Sequence, residues 1–197
     1  MPEVRRIYNE IENMKPVQMG FMASHILRSD PKHLAFTAAR YKFVAKMLEG
    51  KTRVLEVGAG DGFFSVIVKQ HVKEIVLTDA VGRDGIQARD LMAGPFYDGF
   101  DGGYCLDVLE HIDEEYEGTF LENFKQSVSG PVIVGMPSIE SQVYASEYSR
   151  QGHVNCKTKE GLRLAMKRHF QEVFMFSMND EVIHTGIMAN YWLAVGL

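Results

Sequence analysis

The chain has 197 residues, 46% hydrophobic and 24% charged, with 18 Gly and 6 Pro; this suffices for one domain with a substantial core and excludes collagen-like, low-complexity and disordered classes. Its formal net charge of -5 gives no electrostatic footprint for a nucleic acid, so neither RNA nor DNA is an expected partner. Two cysteines, Cys105 and Cys156, set up neither a disulfide framework nor a zinc site.

Along the chain, the N-terminal MPEVRRIYNEIENMK has no apolar signal region and no stretch approaches a membrane span, so a cytoplasmic protein with no membrane contact is expected. Residues 3–14 can form a short helix. From Pro31 to Leu48 the apolar residues Leu34, Ala38, Tyr41, Ala45 and Leu48 recur at helical spacing, with Asp30-Pro31 as the start and Gly50 as the stop. Arg53–Val57 then reads as a strand, followed by a glycine turn and a helical run over residues 61–71. Glu74–Asp79 and Gly102–Asp107 are strands that each end in an acid. The stretch between Asp79 and Phe100 is short for a helix, a strand and a loop, which predicts that its helix is shortened or absent.

Residues 114–126 read as a helix, 131–136 as a strand and 159–169 as a helix. The basic residues within 157–168 read as a solvated helical face. Two strand-like runs, 172–178 and 187–195, close the chain around a polar connection, 179–186. Strands alternating with helices predict a doubly wound, mostly parallel α/β sheet with an antiparallel edge. Residues 1–197 form a single domain in this reading: a helical N-terminal extension over 1–50 lies across the strand ends of a 51–197 core.

The central motif is Val54-Leu-Glu-Val-Gly-Ala-Gly-Asp-Gly62, whose glycines permit a tight strand-to-helix turn and close approach of a ligand. A dinucleotide fingerprint needs a third glycine where Phe63 stands, and a phosphate loop needs Lys and Ser or Thr after Gly62. Glu56 is awkward beside a pyrophosphate and suits a ligand bearing an ammonium and a sulfonium.

On these residues the chain resembles the class I S-adenosylmethionine-dependent methyltransferases. Glu56 through Gly62 match their first motif, Asp79 their second, and Asp107-Val-Leu-Glu-His111 resembles the subfamily related to ubiquinone-pathway and sugar methyltransferases. The likeness spans roughly residues 31–197 and implies a seven-stranded Rossmann-like methyltransferase fold. It implies that Gly58, Ala59 and Gly60 face the methionine part of S-adenosylmethionine and that Glu56 orients its ammonium. Asp79, beside Ala80, would receive the ribose hydroxyls; Asp90 and Leu91 would meet the adenine, and Asp107 would border the cofactor. S-adenosylhomocysteine is then the product. The segment Met178–Gly186 resembles a stretch in methyltransferases of polysaccharide-biosynthesis clusters, which points to a small acceptor, a sugar or nucleotide-sugar hydroxyl.

Methyl transfer from a sulfonium is an in-line displacement in which the protein supplies alignment, desolvation and sometimes a base. His111, with Glu110 beside it, and His153 are the candidates for acid–base work on a hydroxyl acceptor. Phe21 and Tyr41 are expected in the core, with closure over the cofactor as the alternative role for each. No linear spacing supports a metal site, Glu181-x-x-His184 being too sparse, so no metal is expected. Two alternatives remain: a nucleotide-dependent oxidoreductase, disfavoured by Phe63, and a non-catalytic methyltransferase-like partner subunit, since fold and motif do not establish turnover.

Overall fold

A computed structural model describes residues 2–197. Three helices come first: α1 (Pro2–Glu12), α2 (Phe21–Ser29) and α3 (Pro31–Met47). The second of these is absent from the sequence expectation. The third starts as predicted, with the Asp30 carboxylate accepting from the Lys32 N–H at 3.2 Å and Pro31 at a position that needs no amide hydrogen.

The core alternates as expected: β1 (Arg53–Val57), α4 (Ser65–Lys69), β2 (Glu74–Asp79), β3 (Gln87–Ala88), β4 (Gly102–Leu106), α5 (Glu114–Ser127) and β5 (Val132–Pro137). After it come α6 (Glu147–Gly152), α7 (Lys159–Lys167), β6 (Val173–Asn179), β7 (Val182–His184) and β8 (Tyr191–Gly196). The helix predicted over 61–71 contracts to α4. Asp61 Oδ1 accepts from the Phe63 N–H at 3.1 Å and Gly62 takes a φ of +69°, so the first predicted turn is spent on a loop. No helix lies between β2 and β3 among the described residues, in agreement with the short segment.

The sheet has eight strands in the order β3-β2-β1-β4-β5-β8-β6-β7, not seven. The additional strand, β7, forms inside the 179–186 connection. Asp180 adopts a φ of +52°, which lets the chain reverse at once and pair Asn179 with Val182. From β3 through β5 the pairing is parallel; β8 and β6 add the expected antiparallel pair.

Two apolar layers cover the sheet. One joins Leu55, Phe120, Phe124, Met166 and Trp192, the other Val44, Leu48, Val54, Val68, Ile133 and Leu193. The chain runs outward from β1 to β2 and β3, then returns to start β4 on the other side of β1. That reversal opens a crevice at the carboxyl ends of β1 and β4, which lie in register from Val54↔Gly102 to Val57↔Cys105. No described helix is long and apolar enough to cross a membrane.

Candidate functional site

The glycine turn leaves β1 directly into this crevice. Gly58, Gly60 and Gly62 have φ of +76°, +60° and +69°. A Cβ on Gly58 would overlap Val108 Cγ2, so glycine lets the turn close on the segment after β4. A Cβ on Gly60 would meet nothing within 4 Å; there the left-handed backbone alone calls for glycine, and the space above it is open. Ala59 is buried, and its N–H and that of Gly58 donate to the Thr78 carbonyl at 3.0 and 2.9 Å, tying the turn to β2.

Asp79 ends β2 beside the turn. Its Oδ2 accepts from the Gly60 N–H and its Oδ1 from the Val81 N–H, both at 3.0 Å. Two of its roughly four lone-pair sites are filled, which leaves acceptor capacity on a side chain that is 19% exposed. Ala80 follows in an exposed turn. Asp90 is exposed and uses Oδ1 to cap residues 91–93 through the Met92 N–H at 2.8 Å. Leu91 is 1% exposed and belongs to the core.

Glu56 is sealed beneath the turn at 1% exposure. Its Oε1 accepts from the Tyr41 hydroxyl at 2.9 Å and its Oε2 from the Tyr104 hydroxyl. Burial raises its pKa above the ordinary carboxylate value, with the two phenols acting in the opposite direction. It joins α3 to β1 and β4 and does not itself face the crevice. Tyr41 is thus a core residue, as expected. Phe21 is not: it is 55% exposed, with the Arg83 guanidinium 5.0 Å from its ring centroid.

The N-terminal helices reach the turn through Asp61, whose Oδ2 accepts from the Met22 and Ala23 N–H groups at 2.8 and 3.1 Å and caps α2. Arg83 adds a bond from Nη1 to the Gly60 carbonyl at 3.2 Å. On the β4 side, Asp107 has a φ of +56°, a conformation that side chains resist by about 1–2 kcal/mol. Arg40 of α3 holds it there. Its Nη1 donates to both Asp107 oxygens at 3.0 and 2.8 Å, and its guanidinium lies 3.8 Å from the Tyr191 ring centroid. Nothing in the helical pattern of residues 31–48 singles out Arg40; the signal would have been an arginine beside Tyr41 on a core-facing stretch.

Beyond Asp107, the fold gathers all three acid–base candidates. Glu110 is fully buried, and neither carboxylate oxygen has a hydrogen-bond partner. Burial, reinforced by the Asp107 charge, pushes its pKa well above the carboxylate range. The His111 and His153 rings lie 5.1 Å apart, edge to face. His111 Nδ1 bonds to the Gly152 carbonyl and His153 Nδ1 to the Gln142 side-chain oxygen, each at 2.8 Å. Both partners only accept, so Nδ1 carries a proton in each ring, and in the neutral imidazole Nε2 then holds the lone pair. Burial and the neighbouring His111 lower the pKa of His153. The polar loop expected around His153 is partly the short helix α6, whose last residue supplies the His111 partner.

A small, shallow hollow opens beside Arg40, lined also by Phe36, Met178, Asp180, Asn190 and Tyr191. Linear spacing does not connect these three residues, yet in three dimensions one donor atom each from Glu110, His111 and His153 lies within 4.8 Å of the others. Glu181-x-x-His184 remains without that character, because His184 Nδ1 accepts from the Gly186 N–H and Nε2 meets the Asn179 amide.

No family model and no curated relative matches the chain. Solved structures do. A SAM-dependent methyltransferase from Archaeoglobus fulgidus superposes with a TM-score of 0.67 at 17% identity, covering 90% of this chain and 99% of that one. The N-methyltransferase NodS from Bradyrhizobium japonicum WM9, in complex with S-adenosyl-L-homocysteine, matches with a TM-score of 0.59 at 15% identity, covering 86% and 89%. The small RNA methyltransferase HEN1 gives 0.67 at 14% identity over 93% of this chain but only 26% of its own. The chain therefore has the Rossmann-like fold of SAM-dependent methyltransferases.

Proposed function

We propose that this protein is a methyltransferase that takes its methyl group from S-adenosylmethionine, releases S-adenosylhomocysteine, and methylates a hydroxyl of a small polar acceptor, a sugar or nucleotide sugar. The observation that carries the reading is the turn of left-handed glycines at the β1/β4 reversal, flanked by an acid with free acceptor capacity.

The residues present fit that cofactor. Gly58, Ala59 and Gly60 offer a backbone surface with open space over Gly60, against which the methionine part would lie. Asp79 retains lone pairs for a ribose diol, and Asp90 keeps an exposed Oδ2 for the adenine amino group. Glu56 supports the turn from below, so its effect on the ammonium group passes through the backbone. When bound, the cofactor supplies a methyl group activated by a sulfonium.

The acceptor side would be the far end of the crevice. His111 and His153, each with Nδ1 bonded to a carbonyl oxygen, would border it through Nε2, and the Arg40–Asp107 pair would form its charged edge. The segment that resembles polysaccharide-cluster methyltransferases contributes Met178 and Asp180 to the small hollow beside Arg40, and the choice of a polyhydroxylated acceptor rests on that resemblance.

The test is incubation with methyl-labelled S-adenosylmethionine and a panel of sugars and nucleotide sugars, read by transfer of label. Labelled product from one acceptor class supports the reading. Cofactor binding without transfer to any acceptor favours the partner-subunit alternative, and nicotinamide-nucleotide binding in place of S-adenosylmethionine favours the oxidoreductase.

A further inference from the structure

The geometry points to a divalent-cation site formed by Glu110, His111 and His153, with open coordination positions for the hydroxyl oxygens of the acceptor. Two imidazoles and one carboxylate suit a first-row transition-metal dication better than magnesium or calcium, which prefer all-oxygen sites.

Three observations support it independently. First, one donor atom from each residue lies within 4.8 Å of the others. Ligands about 2.1 Å from one metal stand roughly 3–4 Å apart, so closure on an ion needs a contraction of about an ångström. Second, Glu110 is fully buried with both oxygens unpartnered. A buried carboxylate left without donors costs several kcal/mol in ionised form, and a bound dication removes that cost. Third, each histidine gives its Nδ1 proton to a carbonyl oxygen, Gly152 for His111 and the Gln142 amide for His153. That is the outer-shell arrangement that turns Nε2 of a metal-ligating histidine toward the ion.

The surroundings hold the cluster in place. The Asn155 N–H donates to the Glu110 carbonyl at 3.0 Å, and Asn155 Nδ2 donates to Glu117 at 3.0 Å. Lys157 pairs with the same Glu117 at 2.9 Å. The segment bearing His153 is therefore pinned to the segment bearing Glu110 and His111. Asp107, gripped by Arg40, adds negative charge nearby without joining the ligand set. Cys156 does not compete as a thiolate, because burial and the neighbouring Glu110 and Asp107 charges push its pKa to about 11.

A cation at this point lies beyond the end of β4, next to the strand whose turn is proposed to hold the cofactor. A hydroxyl bound to it is acidified: its O–H bond breaks, the proton passes to solvent water, and the electron pair stays on oxygen as a nucleophile. The role as acceptor ligand rests on the proposed methyltransferase reading; the cation site itself does not.

The test uses the full-length chain stripped with chelator, then titrated with Co²⁺ and with Zn²⁺. One equivalent of Co²⁺ should bind and develop visible absorption, and Zn²⁺ should displace it. Glu110→Gln and the double variant His111→Gln/His153→Gln should weaken binding at least tenfold. Long-range ¹H–¹⁵N spectra of the unaltered protein, which need no variant, should show the Nε2 resonances of both histidines moving on Zn²⁺ addition. Absence of stoichiometric binding, or Nε2 resonances of His111 and His153 that stay fixed while Zn²⁺ binds, would overturn the site. S-adenosylmethionine titration of the same samples keeps the two readings apart: cation binding without cofactor binding defeats only the methyltransferase reading, and the reverse result defeats only the cation site.

Discussion

Replacing Gly58 by alanine separates two demands that the turn makes on one residue. The left-handed φ of +76° costs a residue with a Cβ about 1–2 kcal/mol. The new methyl would also overlap Val108 Cγ2, and valine is stiff at χ1, so overpacking adds about 1–3 kcal/mol. Gly58→Ala should therefore lose about 2–5 kcal/mol in urea denaturation. Val108→Ala alone should cost about 1–2 kcal/mol, since Val108 is only partly buried against the core. The double variant should be more stable than the sum of the two by about 1–3 kcal/mol, because the methyl of one fills the space vacated by the other. Strict additivity, within about 0.5 kcal/mol, would mean that the turn and the β4 segment are not in contact, and the crevice as described would be wrong.

Gly60→Ala has open space and only its φ of +60° to contend with, so it should cost about 1–2 kcal/mol of stability while weakening S-adenosylmethionine far more than Gly58→Ala plus Val108→Ala does, as calorimetry would report. Arg40→Met leaves Asp107 in a left-handed conformation without its cation; with Asp107 37% exposed, the loss should be about 1–3 kcal/mol, or a fall in melting temperature of roughly 2–4 °C per kcal/mol. Glu56 has a pKa raised in the folded state by burial, so its contribution is fully present below the unfolded carboxylate value and is lost as pH rises through the folded value. Glu56→Gln should therefore gain stability relative to the unaltered protein as pH rises above 4.5, by no more than about 1.4 kcal/mol per pH unit and only until the raised folded value is passed, and urea midpoints at rising pH check the sign. Asp79→Asn should weaken S-adenosylmethionine about 10–100-fold, while its circular dichroism stays unchanged.

The parts of the fold legible in the sequence are those fixed by local pattern. Arg53–Val57 and Glu74–Asp79 are short runs with apolar centres, ending at a glycine turn and an acid, and both form as parallel strands. Pro31–Met47 is announced by its Asp-Pro start. What was not legible depends on long-range partners. Glu56 reads as a ligand residue until Tyr41 and Tyr104 are found on its two oxygens, and no spacing connects those three positions. His153 meets Glu110 and His111 through long-range ties such as the Asn155 N–H on the Glu110 carbonyl. The strand β7 depends on Asp180 accepting a left-handed backbone, a local choice that composition does not reveal. The exposure of Phe21 was missed because an aromatic side chain in an unpatterned stretch defaults to the core.

Calorimetric titration of the purified chain with S-adenosylmethionine and S-adenosylhomocysteine, with NAD as the control, tests the central claim most directly. The glycine turn and Asp79 predict micromolar binding of the first two, about -8 kcal/mol, and no heat from NAD. Binding of NAD, or silence from both S-adenosyl compounds, would contradict it.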